Sequence, residues 1–228
     1  MNRFLAECGI ASRRKSEELI EQGRISVNGN VIIDLAFKVD TSVDEVAYDG
    51  EKIKTERKVY FLLNKPKGVI TTTDDDKRRQ TVVDLIKTNF KIFPVGRLDF
   101  NTTGVLLLTN DGELSNKLTH PKNKVPREYI ATLDKPLKLE DQTQLGKNII
   151  LDKRKSHFID IGLVKKTNLR VVRVVTEEGR NHFVKRMFNS VGYNVKQLHR
   201  SKYGNITVDG LAEGSYRKMS IEEIEKLI

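Results

Sequence analysis

The sequence predicts an α+β protein built from a small N-terminal module and a larger domain around a mixed, largely antiparallel sheet. Two observations support this prediction. A helix pattern and a hairpin signal occupy residues 1–48, and a charged segment at 49–58 has the composition of a linker. Strand-like runs then alternate with short helical patterns through 59–228, as in α+β domains.

The first 48 residues are predicted to form two helices followed by a β-hairpin. Residues 2–8 have a short helix pattern, and Ser12 is a suitable N-cap for a second helix that ends near Gln22. Gly23 supplies a left-handed stop for that helix. The pair Asn28-Gly29 lies between two short apolar runs, which is a strong signal for a hairpin.

Residues 59–228 are predicted to form the larger domain. It begins with a buried strand at 59–63, and a capped helix starting at Ser220 closes the chain. The patterns between them indicate strands at 105–109, 128–133, 158–164 and 170–175 and short helices at 81–89, 113–119 and 181–191.

The composition favours a polyanionic partner in a reducing compartment. The formal charge is +10 and the isoelectric point is about 9.6, and a basic excess of this size favours nucleic acid. Cys8 is the single cysteine, so no intrachain disulfide can form, and its apolar surroundings indicate a core position. No apolar run reaches the roughly 20 residues needed to span a membrane. These features predict a cytoplasmic protein.

The sequence gives no case for a metal. The four histidines are scattered without ligand spacing. The acidic run at 74–76 is followed by three basic residues at 77–79, so a solvated loop is the better interpretation.

A basic cluster lies around the start of the second helix and the entry to the hairpin. It allows two interpretations, a solvated charged face or a phosphate-binding edge, because a helix N-terminus with nearby arginines suits phosphate. Its members are Arg13, Arg14, Lys15 and Arg24.

The loop at 96–104 is the main candidate for chemistry. It is rich in small and hydroxyl residues and leads into an apolar strand. Taken alone, Asp99 within it is more often a turn former than a catalytic group.

A set of motifs across the chain favours the catalytic interpretation of Asp99. GRLD followed by TTG and VLLLTNDGEL closely resembles the catalytic signature of the RsuA/RluB/RluE/RluF family of ribosomal RNA pseudouridine synthases. The segment at 11–29 resembles the S-four RNA-binding module that precedes the catalytic domain in this family. Further matching segments lie in family order at 61–72, 127–133, 178–188 and 197–211.

The resemblance implies a role for each matching residue. Asp99 is expected to act as the nucleophile on the target nucleoside, and Tyr129 to stack on the target base and assist proton removal. Lys185 is expected to pair with Asp99, Arg97 to hold the flipped-out conformation, and Leu198 to pack on the uracil. The implied partner is ribosomal RNA or an assembling ribosomal subunit, and the implied protein is a monomer that needs no cofactor and no metal.

Each of these residues also has a purely structural interpretation. Tyr129 in an alternating strand is more often a packing residue, and Leu198 is ordinary core material. Lys185 flanks the apolar stripe of the predicted 181–191 helix, and His182 falls near the middle of the opposite face. Phe183 stands where relatives commonly carry Gln, so we expect a changed supporting contact.

Two other functions remain as alternatives. A non-catalytic RNA-binding or ribosome-assembly factor would share the N-terminal module and the charge. A metal-dependent nuclease would need clustered ligands. Within the family, the motifs do not decide between the small-subunit (16S) and large-subunit (23S) RNA as the target.

Overall fold

The computed structural model describes residues 1–227 and divides them into two compact units. The smaller unit contains residues 1–59 with two short segments, 88–91 and 110–112, and the larger unit contains the remainder. No helix within the described residues is long and apolar enough to cross a membrane.

The smaller unit has two helices and a four-stranded antiparallel sheet in the order β2-β1-β3-β4. Its elements are α1 (Asn2–Glu7), α2 (Arg13–Glu21), β1 (Ile25–Val27), β2 (Asn30–Val31), β3 (Val46–Tyr48) and β4 (Glu51–Lys52). The Ser12 hydroxyl accepts a hydrogen bond from the Lys15 amide and caps α2, while Gly23 takes a positive φ of 69° after it. Both helix signals and the hairpin at Asn28-Gly29 agree with the sequence prediction.

The start of the predicted linker belongs to the sheet. Asp49 and Gly50 both have positive φ and form a turn, and Glu51 then pairs with Tyr48 across β3 and β4. Their polar composition had predicted a linker. A two-residue exposed edge strand needs no apolar side chain, so its composition carries no strand signal. The domain boundaries at 48 and 58 stay a prediction.

The larger unit is built around one mixed sheet in the order β11-β12-β8-β13-β7-β5-β15, with β14 paired to β13 and β6 paired to β7. Its strands are β5 (Tyr60–Lys65), β6 (Phe93–Pro94), β7 (Thr102–Thr109), β8 (Arg127–Leu133), β9 (Ile149–Leu151), β10 (Arg154–Ser156), β11 (Asp160–Lys165), β12 (Asn168–Thr176), β13 (Val195–Tyr203), β14 (Ile206–Thr207) and β15 (Tyr216–Lys218). Strands β9 and β10 form a separate hairpin. Only the β7–β13 pair within the described sheet is parallel, which confirms the predicted α+β class and the largely antiparallel sheet.

Helices of the larger unit are short and lie between the strands. They are α3 (Gly112–Thr119), a 3-10 turn at Pro121–Asn123, α4 (Leu139–Leu145), α5 (Phe183–Ser190) and α6 (Ile221–Glu225). Ser220 and Glu223 close a capping box at α6, as the sequence indicated.

The helix predicted at 81–89 is wrong. This segment forms turns, in which the Asp84 carboxylate accepts hydrogen bonds from the Thr81 amide and hydroxyl at 2.8 and 2.9 Å. Val82 and Ile86 have helical spacing and are buried, but they reach the core from consecutive turns. Apolar spacing over one turn of chain therefore gave a false helix signal.

Strand β7 is buried on both faces at the centre of the sheet. Val105, Leu106, Leu107 and Leu108 are all nearly inaccessible to solvent. Strand β7 begins three residues after Asp99, so a rigid core strand anchors one end of the candidate catalytic loop.

Candidate active site

The Asp99 carboxylate is held by two basic side chains from the start of α5. The Lys185 ammonium donates a hydrogen bond of 2.6 Å to Oδ2, and His182 Nε2 lies 3.3 Å from Oδ1. The Thr102 amide donates to the Asp99 carbonyl at 3.0 Å and closes the loop. Charge-assisted contacts on both oxygens fix the orientation of a carboxylate that keeps 28% of its surface exposed.

The backbone on either side of Asp99 is clamped by the segment after β5. The Thr71 hydroxyl donates to the Leu98 carbonyl at 2.7 Å and accepts from the Leu98 amide at 3.3 Å. The Gly68 amide donates to the Phe100 carbonyl at 2.9 Å. The backbone at both neighbours of Asp99 is therefore fixed, while the Asp99 side chain contacts Lys185 and His182.

A buried lysine completes this clamp and was missed by the sequence analysis. Lys65 has no exposed surface, and its ammonium donates to the carbonyls of Thr102 at 3.1 Å and Pro66 at 2.9 Å. Burial lowers the pKa of Lys65 to about 8, against the opposing charges of Asp99 and Glu213. Its position at the end of the apolar β5, directly before proline, was the available sequence signal.

The parallel contact between β7 and β13 brings Leu198 beside the loop. Leu198 pairs with Thr102 in the ladder, and Gly104 pairs with Arg200. A Cβ at Gly104 would lie 2.2 Å from the Arg200 carbonyl oxygen, and the φ of Gly104 is +105°. Only glycine permits this approach of the two strands. The Thr103 hydroxyl also lies 2.9 Å from His199 Nδ1 across the same pair.

These elements surround a cavity of about 150 Å³. Four of the predicted residues line it together: Arg97, Asp99, Tyr129 and Leu198. Tyr129 and Leu198 are 9% and 7% exposed, so their apolar surfaces face the interior. Further lining residues that the sequence analysis did not single out for this site are His182, Arg127, Arg180, Arg200 and Tyr203.

Lys185 and the basic cluster take different places. Lys185 is not part of the cavity lining but reaches Asp99 directly through its hydrogen bond. Arg13, Arg14 and Lys15 are exposed at the start of α2 in the smaller unit. Arg24 in that unit forms a two-pronged ion pair with Asp49, and its guanidinium lies 4.8 Å from the Tyr48 ring centroid.

The prediction that His182 lies on the face of the helix opposite its apolar stripe is wrong. His182 is not within a helix; it is the residue before α5 and has a positive φ of 52°. This left-handed conformation turns its ring back toward Asp99. The next residue, Phe183, is buried, packs edge-to-face on Phe158 at 6.0 Å, and lies under the Arg180 guanidinium at 5.2 Å. An apolar contact thus anchors the start of α5.

The described residues hold no group of three or more His, Cys, Asp or Glu side chains that could bind a metal ion. In the acidic run, Asp75 pairs with Arg79 at 2.6 Å, and this pairing lowers the pKa of Asp75 to about 2. That pairing agrees with the interpretation of the run as a charge-balanced loop.

Comparison with known proteins identifies the class of enzyme that this fold and cavity define. The RNA pseudouridylate synthase family matches residues 59–190, and the S4 domain family matches residues 2–46. The chain therefore belongs to the RNA pseudouridylate synthase family. This confirms the resemblance seen in the motifs and favours an enzyme over the non-catalytic alternative.

Individual relatives agree with this assignment over the whole chain. Ribosomal large subunit pseudouridine synthase B of Bacillus subtilis is 40% identical, covering 100% of this chain and 94% of that protein. An uncharacterized RNA pseudouridine synthase of Aquifex aeolicus is 39% identical, covering 100% and 92%. A crystal structure of a pseudouridylate synthase matches with a TM-score of 0.71 and 30% identity, covering 100% of this chain and 98% of that one.

Proposed function

We propose that this protein converts one uridine of large-subunit ribosomal RNA into pseudouridine, with Asp99 as the nucleophile. The observation that carries the proposal is the Asp99 carboxylate, fixed by Lys185 and His182 at a cavity that Tyr129 and Leu198 line. We infer that the protein acts as a cytoplasmic monomer and needs neither a cofactor nor a metal.

The reaction is an isomerisation that this arrangement suits. The bond from ribose to uracil N1 breaks, and the ribose is rejoined to carbon 5, which gives up its proton while N1 gains one. Asp99 attacks the target nucleoside and holds it while the base turns. No electrons are gained or lost, so the residues at the cavity suffice.

The target base must leave its stack to reach Asp99. Tyr129 offers a ring face against which the base stacks, and this type of contact is worth about 1–3 kcal/mol per base. Leu198 packs on the uracil, and its place in the ladder beside Thr102 puts it at the base of the Asp99 loop. Arg97, two residues before Asp99, holds the flipped-out conformation from the cavity wall.

Lys185 and His182 have distinct parts in this scheme. Lys185 stabilises the negative charge that Asp99 needs as a nucleophile, because an ammonium at 2.6 Å favours the carboxylate. His182 restrains the other oxygen. Together they hold the carboxylate in one orientation before the substrate arrives, which lowers the cost of reaching the transition state.

The smaller unit is proposed to bind RNA through its basic cluster. Arg13, Arg14 and Lys15 surround the exposed N-terminus of α2, where backbone amides and the helix dipole also favour phosphate. Arg24 is already paired with Asp49, so we propose that it contacts the RNA while it keeps that ion pair. We propose that residues 1–48 select the RNA while residues 59–228 catalyse the reaction.

The choice of the large-subunit RNA rests on similarity. The Bacillus subtilis relative, named for the large ribosomal subunit, matches this chain from end to end at 40% identity. The relationship spans both units, so it includes the unit proposed to select the RNA.

Pseudouridine mapping of both ribosomal RNAs tests the proposal. Cells lacking the gene are compared with cells complemented by wild type or by Asp99→Asn, which keeps the size of the side chain but removes its charge. We expect one uridine of 23S RNA to lose its modification and to regain it only with wild type. Restoration by Asp99→Asn would refute the nucleophile, and a lost site in 16S RNA would refute the choice of subunit.

A further inference from the structure

Two buried arginines on adjacent strands line the cavity without a carboxylate partner. Arg200 on β13 is 2% exposed and Arg127 on β8 is 8% exposed. Among the described residues, neither forms an ion pair within 4.0 Å with an Asp or Glu. Burial of a guanidinium without a counter-charge is costly, so this feature calls for a physical reason.

The protein satisfies these guanidiniums only in part. Arg200 Nε donates to the Val105 carbonyl at 2.8 Å, and Arg127 Nη1 donates to the Glu177 carbonyl at 2.8 Å. Both guanidiniums lie over the Tyr203 ring, at 4.9 and 5.2 Å from its centroid. Arg200 Nη2 is buried and has no hydrogen-bond partner within the protein.

The acidic residues that line the cavity are already engaged by other basic side chains, so they do not balance the two arginines. Asp99 contacts Lys185 and His182, and Glu178 pairs with Arg180 at 2.6 Å. The positive charge of Arg127 and Arg200 is therefore left for an anion from outside the protein.

The strand register places this charge next to the proposed base site. Arg200 pairs with Tyr129 across β13 and β8, and Arg127 pairs with Tyr203 three residues further along β13. Directly paired residues share one face of a sheet. We therefore expect a nucleotide whose base lies against Tyr129 to place a phosphate near the two guanidiniums.

We propose that Arg200 and Arg127 bind a backbone phosphate of the RNA at the flipped-out nucleotide. A guanidinium presents several N–H groups in a fixed plane that matches phosphate oxygens. Contact with the Tyr203 ring restrains both guanidiniums before the substrate arrives. This inference rests on the proposed function, because it takes Tyr129 as the site of the target base.

The test measures how RNA modification and RNA binding depend on salt. Wild type and Arg200→Met act on in vitro transcripts of both ribosomal RNAs, with kcat/KM for pseudouridine formation measured between about 50 and 200 mM salt. Loss of one phosphate contact should reduce the log–log salt slope by about 0.7. It should also lower kcat/KM by about 10- to 100-fold at the lower salt concentration, as expected for loss of charge-assisted hydrogen bonds.

Arg173→Met is the matched control. It removes the same charge from β12, two strands away from β13 in the sheet. Arg173 is already paired with Glu128 and Asp160, so the salt slope of this variant should equal that of wild type. Arg200→Lys keeps a cation without the planar group and should restore the slope but not the full rate. If Arg200→Met fails to fold, as judged by its urea unfolding curve, Arg127→Met takes its place.

An unchanged slope in folded Arg200→Met, with wild type active, would overturn the phosphate contact and leave Arg200 a packing residue. A wild type that forms no pseudouridine either in these transcripts or in the complemented cells would instead overturn the proposed function. In that case the salt dependence of transcript binding still tests the phosphate contact. An equal salt slope of binding for Arg200→Met and Arg173→Met would refute it.

Discussion

Replacement of Lys185 by methionine tests whether the ion pair at Asp99 drives the reaction. The change removes the ammonium and keeps a side chain of similar length at the same place on α5. The side chains of Lys185 and Asp99 are 31% and 28% exposed, so the pair is neither fully in water nor fully buried. Fully exposed pairs contribute about 0–1 kcal/mol, and breaking fully buried ones costs about 3–5 kcal/mol.

An intermediate value of about 2 kcal/mol is expected for this hydrogen bond, which corresponds to about a 30-fold loss of rate. His182 still contacts the other oxygen of Asp99 at 3.3 Å, which is why the loss should be partial. The assay is the single-turnover rate of pseudouridine formation at saturating RNA, together with the Kd for the same RNA. We expect the rate to fall and the Kd to stay within about threefold, because Lys185 does not line the cavity.

Arg186→Met provides the control for this experiment. It removes the same charge from the next residue of α5, where Arg186 pairs with Asp152 in an exposed position away from Asp99. Its rate should stay within about threefold of wild type. Normal rates in both variants would show that the ion pair at Asp99 is dispensable. Equally reduced rates would show that loss of charge or of helix stability explains the result. Either outcome would refute a specific effect of Lys185 on Asp99.

Two further predictions concern stability, and urea unfolding measures both. Gly104→Ala should lower the free energy of unfolding by more than 4 kcal/mol, because its Cβ would meet the Arg200 backbone at 2.2 Å. Gly210→Ala should lower it by only about 1–2 kcal/mol, because Gly210 has a positive φ but no atom within 4 Å of a Cβ. Equal losses of stability would mean that β7 and β13 can separate freely. Folding lowers the pKa of Lys65 from 10.5 to about 8, so the unfolded chain binds more protons in that window and stability must rise with pH through it. Relative to Lys65→Met, the wild-type free energy of unfolding should rise by up to about 3 kcal/mol between pH 8 and 10.5, and parallel pH curves would contradict this.

The features that the sequence predicted correctly are encoded locally. Ser12 caps its helix, Gly23 ends it and Asn28-Gly29 turns the hairpin, because each depends on a few neighbouring residues. The false helix at 81–89 has a local cause as well. There the hydrogen bonds of Asp84 to Thr81 favour turns over the weak apolar periodicity.

The site was predictable only where a motif marked it. Asp99 and Lys185 stand 86 positions apart, and their contact follows from the sheet, not from any local pattern. The burial of Lys65 and Arg200 was harder to predict, since it depends on the strands packed over them, and the place of Lys65 at the end of an apolar strand was only a weak signal. The contact between His182 and Asp99 was not predicted, because it depends on a single positive φ at the start of the helix.

The way the loop is held suggests which partner must move during the reaction. Hydrogen bonds fix the backbone at Leu98, Phe100 and Thr102, and the Asp99 side chain is restrained at both oxygens. A loop held at alternate residues has little freedom to follow a base into a helix. We therefore expect the RNA to deform so that the target nucleotide reaches the carboxylate, and contacts on that nucleotide to offset the cost of unstacking. We expect stacking and phosphate contacts to raise the reaction rate as well as the affinity for RNA, because these contacts form only with the flipped-out nucleotide.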